Sequence, residues 1–179
     1  MTRTIEVVPY NQDWPRLFCI EAEQIAAALA GEMTAIHHIG STAIPGIKAK
    51  PILDFLVEVR SIEAVGAFDE QMVALGYVPR GENGIPGRRY FTKDTGQVRS
   101  HHVHVYQAGH PEIERHLDLR DYLRAHPQEA EAYSRLKEDL AEKFRHDSLG
   151  YTEGKTDFIR EKNRRARAWR EAGQESPSN

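Results

Sequence analysis

Hydrophobic positions along the chain change their period several times, and each change marks an element. From Asp13 to Gly31 the apolar residues Leu17, Ile20, Ala22, Ile25, Ala28 and Leu29 recur at helical spacing, with Asp13 at the N-cap position, Pro15 in the first turn and Gly31 as the stop. Before this helix, Thr4–Val8 reads as a short edge strand ended by Pro9. Two apolar runs of strand length follow, Met33–Ile39 and Ile52–Val59, the second interrupted by one carboxylate, Asp54. Ser61 then caps a helix carrying Ile62, Val65, Phe68, Met72, Val73 and Leu75, ended by Gly76, and Tyr77–Val78 is short and extended. Residues 81–87, GENGIPG, are too rich in Gly, Asn and Pro for an element interior. Arg88–Lys93 and Val98–Gln107 flank Asp94-Thr95-Gly96 as the two arms of a hairpin.

After Gly109 the pattern is helical to the end. Pro111–Ala125 carries Ile113, Leu117, Tyr122 and Leu123, and Pro127 restarts a helix through about His146. There Ala132, Leu136, Leu140 and Phe144 form one apolar stripe, and Thr152–Arg170 is a third helix with a basic end. The order predicts an α/β core over residues 1–108, a helical extension packed on it over 109–172, and a disordered tail over 173–179.

Composition narrows the class without naming a chemistry. The 179 residues are 40% hydrophobic and 28% charged, as in an ordinary globular protein. A formal charge of −3 gives no global field that favours nucleic acid, so binding of a polyanion would rest on a local patch. The single Cys19 excludes an intramolecular disulfide, and its place inside a helical pattern predicts a buried, inert thiol. No apolar run approaches a membrane span, and Met1–Asn11 lacks the layout of a signal peptide, so a cytoplasmic location and no membrane partner are expected.

Candidate chemistry concentrates in His37–Val59, HHIGSTAIPGIKAKPILDFLVEV. A strand that stops at Gly40-Ser41 lets a phosphate approach backbone N–H groups, because glycine has no Cβ in the way. Asp54 on the next strand offers a ligand to the Mg²⁺ that phosphates bring; a Gly/Pro-rich crossover with Asp54 capping a turn is the structural alternative. The P-loop pattern fails, since Gly46 is not followed directly by Lys and Ser or Thr. On Val98–Gln107, Val103 and Val105 point one way while His102, His104 and Tyr106 point the other, which suits a polar cleft. Two imidazoles on one strand face can chelate a divalent ion with Asp54, and with His38 as a further candidate; hydrogen bonding to sheet neighbours is the alternative. Lys48, Lys50, Arg88, Arg89, Lys93 and Arg99 supply cations, of which Lys50, inside the central loop, and Arg89 are the candidates for neutralising phosphate. Leu119–Pro127 (LRDYLRAHP), with Lys137 and Tyr151–Lys155, forms a further constellation, in which Arg120 and Arg124, one helical turn apart, either reach an anion together or pair with neighbours to dock the helices, and docking is the favoured reading.

The Gly-Ser pair followed by a strand carboxylate resembles the nucleotidyltransferase fold of the polymerase-β type, where Gly-Ser holds the triphosphate and strand carboxylates hold two metal ions. That pattern has a second carboxylate two residues on, where this chain has Leu56; Glu58 shares the face one step further along. HVHVY also resembles the histidine-triad nucleotide hydrolases, with Tyr106 in place of the third histidine. Taken together, His37–Val59, HHVHVY (His101–Tyr106), LRDYLRAHP (Leu119–Pro127) and YTEGKTDFI (Tyr151–Ile159) resemble the GrpB-like family, which also occurs fused to dephospho-CoA kinase. The resemblance implies a mixed sheet of nucleotidyltransferase type flanked by helices, with Gly40, Ser41 and Asp54 in phosphate and metal positions.

The reading is therefore a nucleotide-handling protein. Gly40, Ser41, Thr42, Lys50 and Arg89 would bind the nucleotide or other phosphorylated small molecule. Asp54, His102 and His104 would hold a divalent metal (Mg²⁺ or Mn²⁺, with Zn²⁺ as an option), and Asp54 and Lys50 would serve catalysis. The alternatives are a non-catalytic ligand-binding or regulatory module of the same fold and a metal-dependent phosphohydrolase that uses the His-x-His strand.

Overall fold

A computed structural model describes residues 4–174. They form two compact units that interleave along the chain. The α/β unit holds residues 11–43 and 52–114, and the helical unit holds, of the described residues, 4–10, 44–51 and 115–174. The expected division at 108/109 is therefore displaced, because the Pro- and Gly-containing stretch from Ile44 to Pro51 joins the helical core and not the sheet.

In the α/β unit, α1 (Trp14–Ala28) precedes β1 (Met33–Ile39) and β2 (Leu53–Val59). After α2 (Asp69–Ala74) come β3 (Tyr77–Pro79), β4 (Arg88–Thr95) and β5 (Val98–Gln107). The sheet order is β1-β2-β5-β4-β3. Only the central β2–β5 pair is parallel, and the rest are antiparallel, so the sheet is mixed. Phe55, Val57, Val59, Phe91, Val103 and Val105 are fully or nearly fully buried and make one apolar face. Phe18 of α1 stacks on His38 and Phe55 of that face, with ring centroids 4.7 and 4.9 Å apart. The same face buries one ionic group, where Glu21 of α1 accepts from Lys93 at 2.6 Å and from the Tyr77 hydroxyl at 2.8 Å.

Several local expectations change. Asp13 makes no side-chain cap; instead the Asn11 side chain accepts its N–H at 2.8 Å. Cys19 is exposed, because it falls on the side of α1 turned away from Ala22, Ile25 and Ala28. The predicted helix after Ser61 is a 3₁₀ stretch over Ile62–Phe68 that passes into α2, with the poor helix former Gly66 inside it. Thr4–Val8 is no strand of the sheet: Val8 makes an isolated bridge to Ala49. In the hairpin, Asp94 and Thr95 belong to β4, and Gly96-Gln97 form the two-residue tip.

The helical unit is built from α3 (Pro111–Ala125), which begins in the α/β unit, α4 (Pro127–Lys143) and α5 (Ser148–Gln174). One core gathers Ile44, Ile47, Tyr122, Leu123, Ala130, Tyr133 and Ala166, and a second gathers Ile5, Leu140, Ala141 and Tyr151. The buried stripe of α4 runs through Ala130, Tyr133, Ser134, Lys137, Leu140 and Ala141, which leaves the predicted Ala132 exposed and puts a lysine in its middle. α5 lies close against α4 at Gly154, where a Cβ would come within 2.5 Å of Leu140. Glu171–Gln174 continue α5, and the rest of the predicted tail, residues 175–179, lies outside the described residues. Among the described residues no helix is long and apolar enough to cross a membrane.

Candidate functional site

The second face of the sheet is polar. Adjacent strands place paired residues on one face, so the registers Ile39–Asp54, Asp54–His102 and Tyr90–His104 put Asp54, His102, His104 and Tyr90 together on the side opposite the apolar face. At the end of β1, Gly40 takes φ +74° and lies directly against the Asp54 side chain; a Cβ there would stand 2.6 Å from Asp54 Oδ2. Only glycine allows both that conformation and that approach. The Ser41 hydroxyl beyond it has no hydrogen-bond partner among the described residues and is half-buried.

Asp54 organises the imidazoles. Its Oδ1 lies 3.2 Å from His102 Nδ1 and 3.4 Å from His104 Nε2, with the carboxylate side chain 24% exposed. Burial pushes the Asp54 carboxyl up, but the hydrogen bonds and positive charge of the two histidines outweigh it and hold the group far below the usual carboxylate range. The ionised carboxylate accepts from both rings, so His102 carries its proton on Nδ1 and His104 on Nε2. Arg88 fixes the second assignment independently. Its Nη1 lies 3.2 Å from His104 Nδ1, and a guanidinium can only donate, so Nδ1 is the acceptor. His102 Nε2, by contrast, has no hydrogen-bond partner among the described residues and keeps its lone pair open. The Tyr90 ring lies 5.7 and 5.1 Å from the two imidazole centroids and restrains both.

This tautomer pattern decides how the expected ligand set fits a resident metal. Asp54, His102 and His104 do converge, but both rings turn an N–H toward the same carboxylate oxygen, and His104 has its only lone pair occupied by Arg88. Among the described residues no group of three His, Cys, Asp or Glu side chains is arranged to hold a metal ion. The trio in this state does not fit a resident divalent cation; it fits a hydrogen-bonded dyad, Asp54–His102, flanked by a locked donor, His104.

The remaining predicted residues separate. Thr42 is 1% exposed, and its hydroxyl accepts from His38 Nε2 at 2.9 Å and donates to the Ile52 carbonyl, so it supports the corner and is not available to a phosphate. His38 pairs with Phe55 in register and lies on the apolar face, which removes it from the ligand candidates. Arg89 pairs with Val105 and is likewise on the face away from Asp54. Its place is taken by Arg88, with the guanidinium 4.3 Å from the Tyr90 ring centroid and donating to the Glu82 and Asn83 carbonyls as well as to His104. Lys50 belongs to the helical unit, where its ammonium lies 4.7 Å from the Tyr151 ring centroid. Leu56 is fully buried, and Glu58 accepts from or donates to nothing at Asp54: its carboxylate is 2.6 Å from His37 Nε2. Arg120 pairs with the adjacent Asp121 at 2.9 Å.

A hairpin irregularity explains the exchange of Arg89 for Arg88. Thr95 pairs with Val98 at the tip, and that register carried on unbroken would set Arg89 opposite His104. The register shifts by one residue between Lys93 and Asp94, where Ser100 is the extra residue, and every side chain beyond it changes face. The sequence signal that finds Arg88 and Tyr90 is thus the bulge, which no alternation pattern marks.

Fold and site together define the class: a mixed five-stranded sheet with one apolar face and one polar face, the latter carrying a glycine corner against an Asp-His dyad. The chain belongs to the GrpB protein family, whose model matches residues 4–165. It is 52% identical over 168 residues to the UPF0157 protein YqkA of Bacillus subtilis, covering 94% of this chain and 49% of that one, so the chain spans about half the length of that relative. It is 35% identical to the glutamate-rich protein GrpB of Alkalihalophilus pseudofirmus, covering 87% of this chain and 91% of the relative. Among solved structures, the conserved protein GrpB from Enterococcus faecalis superposes with a TM-score of 0.87 at 38% identity, covering 92% of this chain and 99% of that one. The Cid1 poly(U) polymerase superposes with a TM-score of 0.47 at 12% identity over 73% of this chain and 45% of its own.

Proposed function

We propose that this chain binds a nucleotide, or another phosphorylated small molecule, at the corner formed by Gly40, Ser41 and the Asp54–His102 dyad, and transfers a nucleotidyl group to an acceptor hydroxyl. One observation carries the reading: Asp54 accepts the Nδ1 proton of His102 on one oxygen, which leaves Nε2 open, while its other oxygen lies against a corner that has no Cβ. An imidazole so oriented is a general base for a hydroxyl. In the proposed step the acceptor oxygen attacks the α-phosphorus while its proton passes to His102 Nε2. The bond to the leaving pyrophosphate breaks as the new oxygen–phosphorus bond forms. Ser41 donates its free hydroxyl to a phosphate oxygen, and His104, held as an Nε2–H donor by Arg88, keeps Asp54 ionised. The nucleotide enters as its Mg²⁺ or Mn²⁺ complex.

Calorimetric titration with ATP, CTP, GTP and UTP, each with Mg²⁺ or Mn²⁺, tests the binding, and an assay for released pyrophosphate tests the transfer. Heat with at least one nucleotide, weakened about fivefold by Ser41→Ala, is expected from the loss of one hydrogen bond; no heat with any of the four overturns the reading. A second reading, a non-catalytic binding module, draws support from Leu56, a fully buried apolar residue where a second carboxylate would be needed for two-metal transfer. Tight nucleotide binding without pyrophosphate release, unchanged by His102→Gln, selects that reading over transfer.

A further inference from the structure

The helical unit carries a second group of residues whose chemistry its core does not explain. Lys137 is 1% exposed in the middle of the buried stripe of α4. Its ammonium donates to the Lys48 carbonyl and lies 4.4 Å from the Tyr133 ring centroid, but no carboxylate among the described residues pairs with it. The neighbouring Glu138 is engaged by the Lys48 ammonium. An ammonium has three N–H groups to satisfy, and one carbonyl accepts only part of that demand. A methionine or leucine would fill the same volume without a buried charge.

Two more amines and an orphaned hydroxyl stand beside it. Lys50 and Lys155 place their ammonium groups 4.7 and 4.6 Å from the centroid of the same ring, Tyr151. Both lysines are half-buried, so part of each side chain reaches solvent. The charge of Lys155 reaches Lys137 strongly enough to oppose its protonation. The Tyr151 hydroxyl is buried with no hydrogen-bond partner among the described residues, and Tyr151 itself is fully enclosed. Gly154 permits this geometry, since its missing Cβ lets α5 approach Leu140 of α4 and brings Tyr151 and Lys155 up to the Lys137 stretch. A buried polar group left without a partner in a native protein calls for a missing one.

We propose that Lys50, Lys137 and Lys155, with the Tyr151 hydroxyl, form an anion site that takes a phosphate or pyrophosphate group. A tetrahedral oxyanion accepts the unused N–H groups of Lys137 and the O–H of Tyr151 together, with the positive charge of Lys50 and Lys155 beside it. The site lies wholly within the helical unit and is argued independently of the Asp54 corner.

Calorimetric titration of the full chain with sodium pyrophosphate at low ionic strength tests it. The wild type is expected to bind. Lys155→Gln, a half-exposed position that leaves the core intact, is expected to lower affinity at least tenfold, and Lys137→Met to do the same while retaining a cooperative unfolding transition. Lys143→Gln, which removes an exposed charge from the same helix, serves as control and is expected to leave affinity within twofold. Absence of binding by the wild type overturns the proposal. So does affinity that survives both Lys155→Gln and Lys137→Met, or that falls equally in Lys143→Gln, since the last outcome is general attraction of anions to a basic surface.

Discussion

Replacing Lys137 by methionine isolates the cost of a charge held inside the helical unit. Burial, with the nearby charge of Lys155, pulls the Lys137 ammonium down to about 7 from an ordinary 10.5. At about 1.4 kcal/mol per unit, the folded chain carries a penalty of about 5 kcal/mol for this group at and below neutral pH. The bond to the Lys48 carbonyl and the contact with the Tyr133 ring are lost with the substitution, which offsets about 1–2 kcal/mol. Lys137→Met is therefore expected to stabilise the protein by about 3 kcal/mol near pH 6, in the range found when buried ions give way to apolar groups of similar volume. The sign of the pH dependence follows from proton counting. Between about 7 and 10.5 the unfolded lysine holds a proton that the folded one has released, so wild-type stability rises with pH relative to the variant. The advantage of methionine should shrink by about 1.4 kcal/mol per unit above pH 7 and stay constant below it. Urea unfolding of both chains at about pH 6, 8 and 9.5 measures this directly, and groups common to both cancel in the difference. A variant less stable than wild type at pH 6, or an advantage that does not change with pH, refutes the reasoning.

Three further perturbations address the Asp54 face. Gly40→Ala combines a left-handed backbone with a Cβ 2.6 Å from Asp54 Oδ2; it should destabilise by about 2–4 kcal/mol in urea unfolding and abolish nucleotide heat. Arg88→Met removes the donor to His104 Nδ1, so long-range ¹H–¹⁵N imidazole spectra should show His104 as the pure Nε2–H tautomer in wild type and as a mixture in the variant; identical spectra contradict the assigned lock. Asp54 is held ionised well below its unfolded range, so it contributes stability above that range and loses it as acid protonates the folded carboxyl. The stability difference between wild type and Asp54→Asn should accordingly contract as the pH falls below about 4, and a difference that grows over that interval would falsify the charge assignment.

Period and punctuation were enough to place most elements, and the reasons are local. Met33–Ile39, Val98–Gln107 and Pro111–Ala125 have the bounds expected of them, because Gly, Pro and alternation act within a few residues. The convergence of Asp54 with His102 and His104 was also legible, since strand alternation fixes which side chains share a face once two strands pair in register. What failed depended on non-local geometry. Arg89 lost its place to Arg88 through one bulge at Ser100, and Thr42 became internal because His38 reaches it from the preceding strand. Lys137 stands out with Tyr151–Lys155 in the sequence, but its burial in the middle of the α4 stripe does not, since nothing in one-dimensional spacing reports that Leu140 and Gly154 bring two helices close there. The interleaved units are opaque for the same reason, as residues 44–51 look like a plain crossover loop until Ile44 and Ile47 are seen among Tyr122, Leu123 and Tyr133.

The two polar groups differ in a way that bears on what the chain does. Around Asp54 the imidazole protons are accounted for: both rings donate to one carboxylate oxygen, an arginine donates to one of the rings, and His102 Nε2 keeps its lone pair. Such closure is what pre-organises a base, because little reorients when a proton arrives. Around Tyr151 the balance differs, with a buried Lys137 ammonium that no carboxylate pairs with and a hydroxyl without a partner among the described residues. A chain under selection for stability alone would exchange Lys137 for an aliphatic residue, a change worth several kcal/mol on the reasoning above. An amine retained against that gradient implies a compensating interaction that the bare chain does not contain, and the donors arrayed beside it specify an oxyanion. Stabilisation by Lys137→Met together with loss of pyrophosphate binding is the joint outcome that separates this explanation from an accident of packing, since a merely tolerated lysine would yield the first effect without the second.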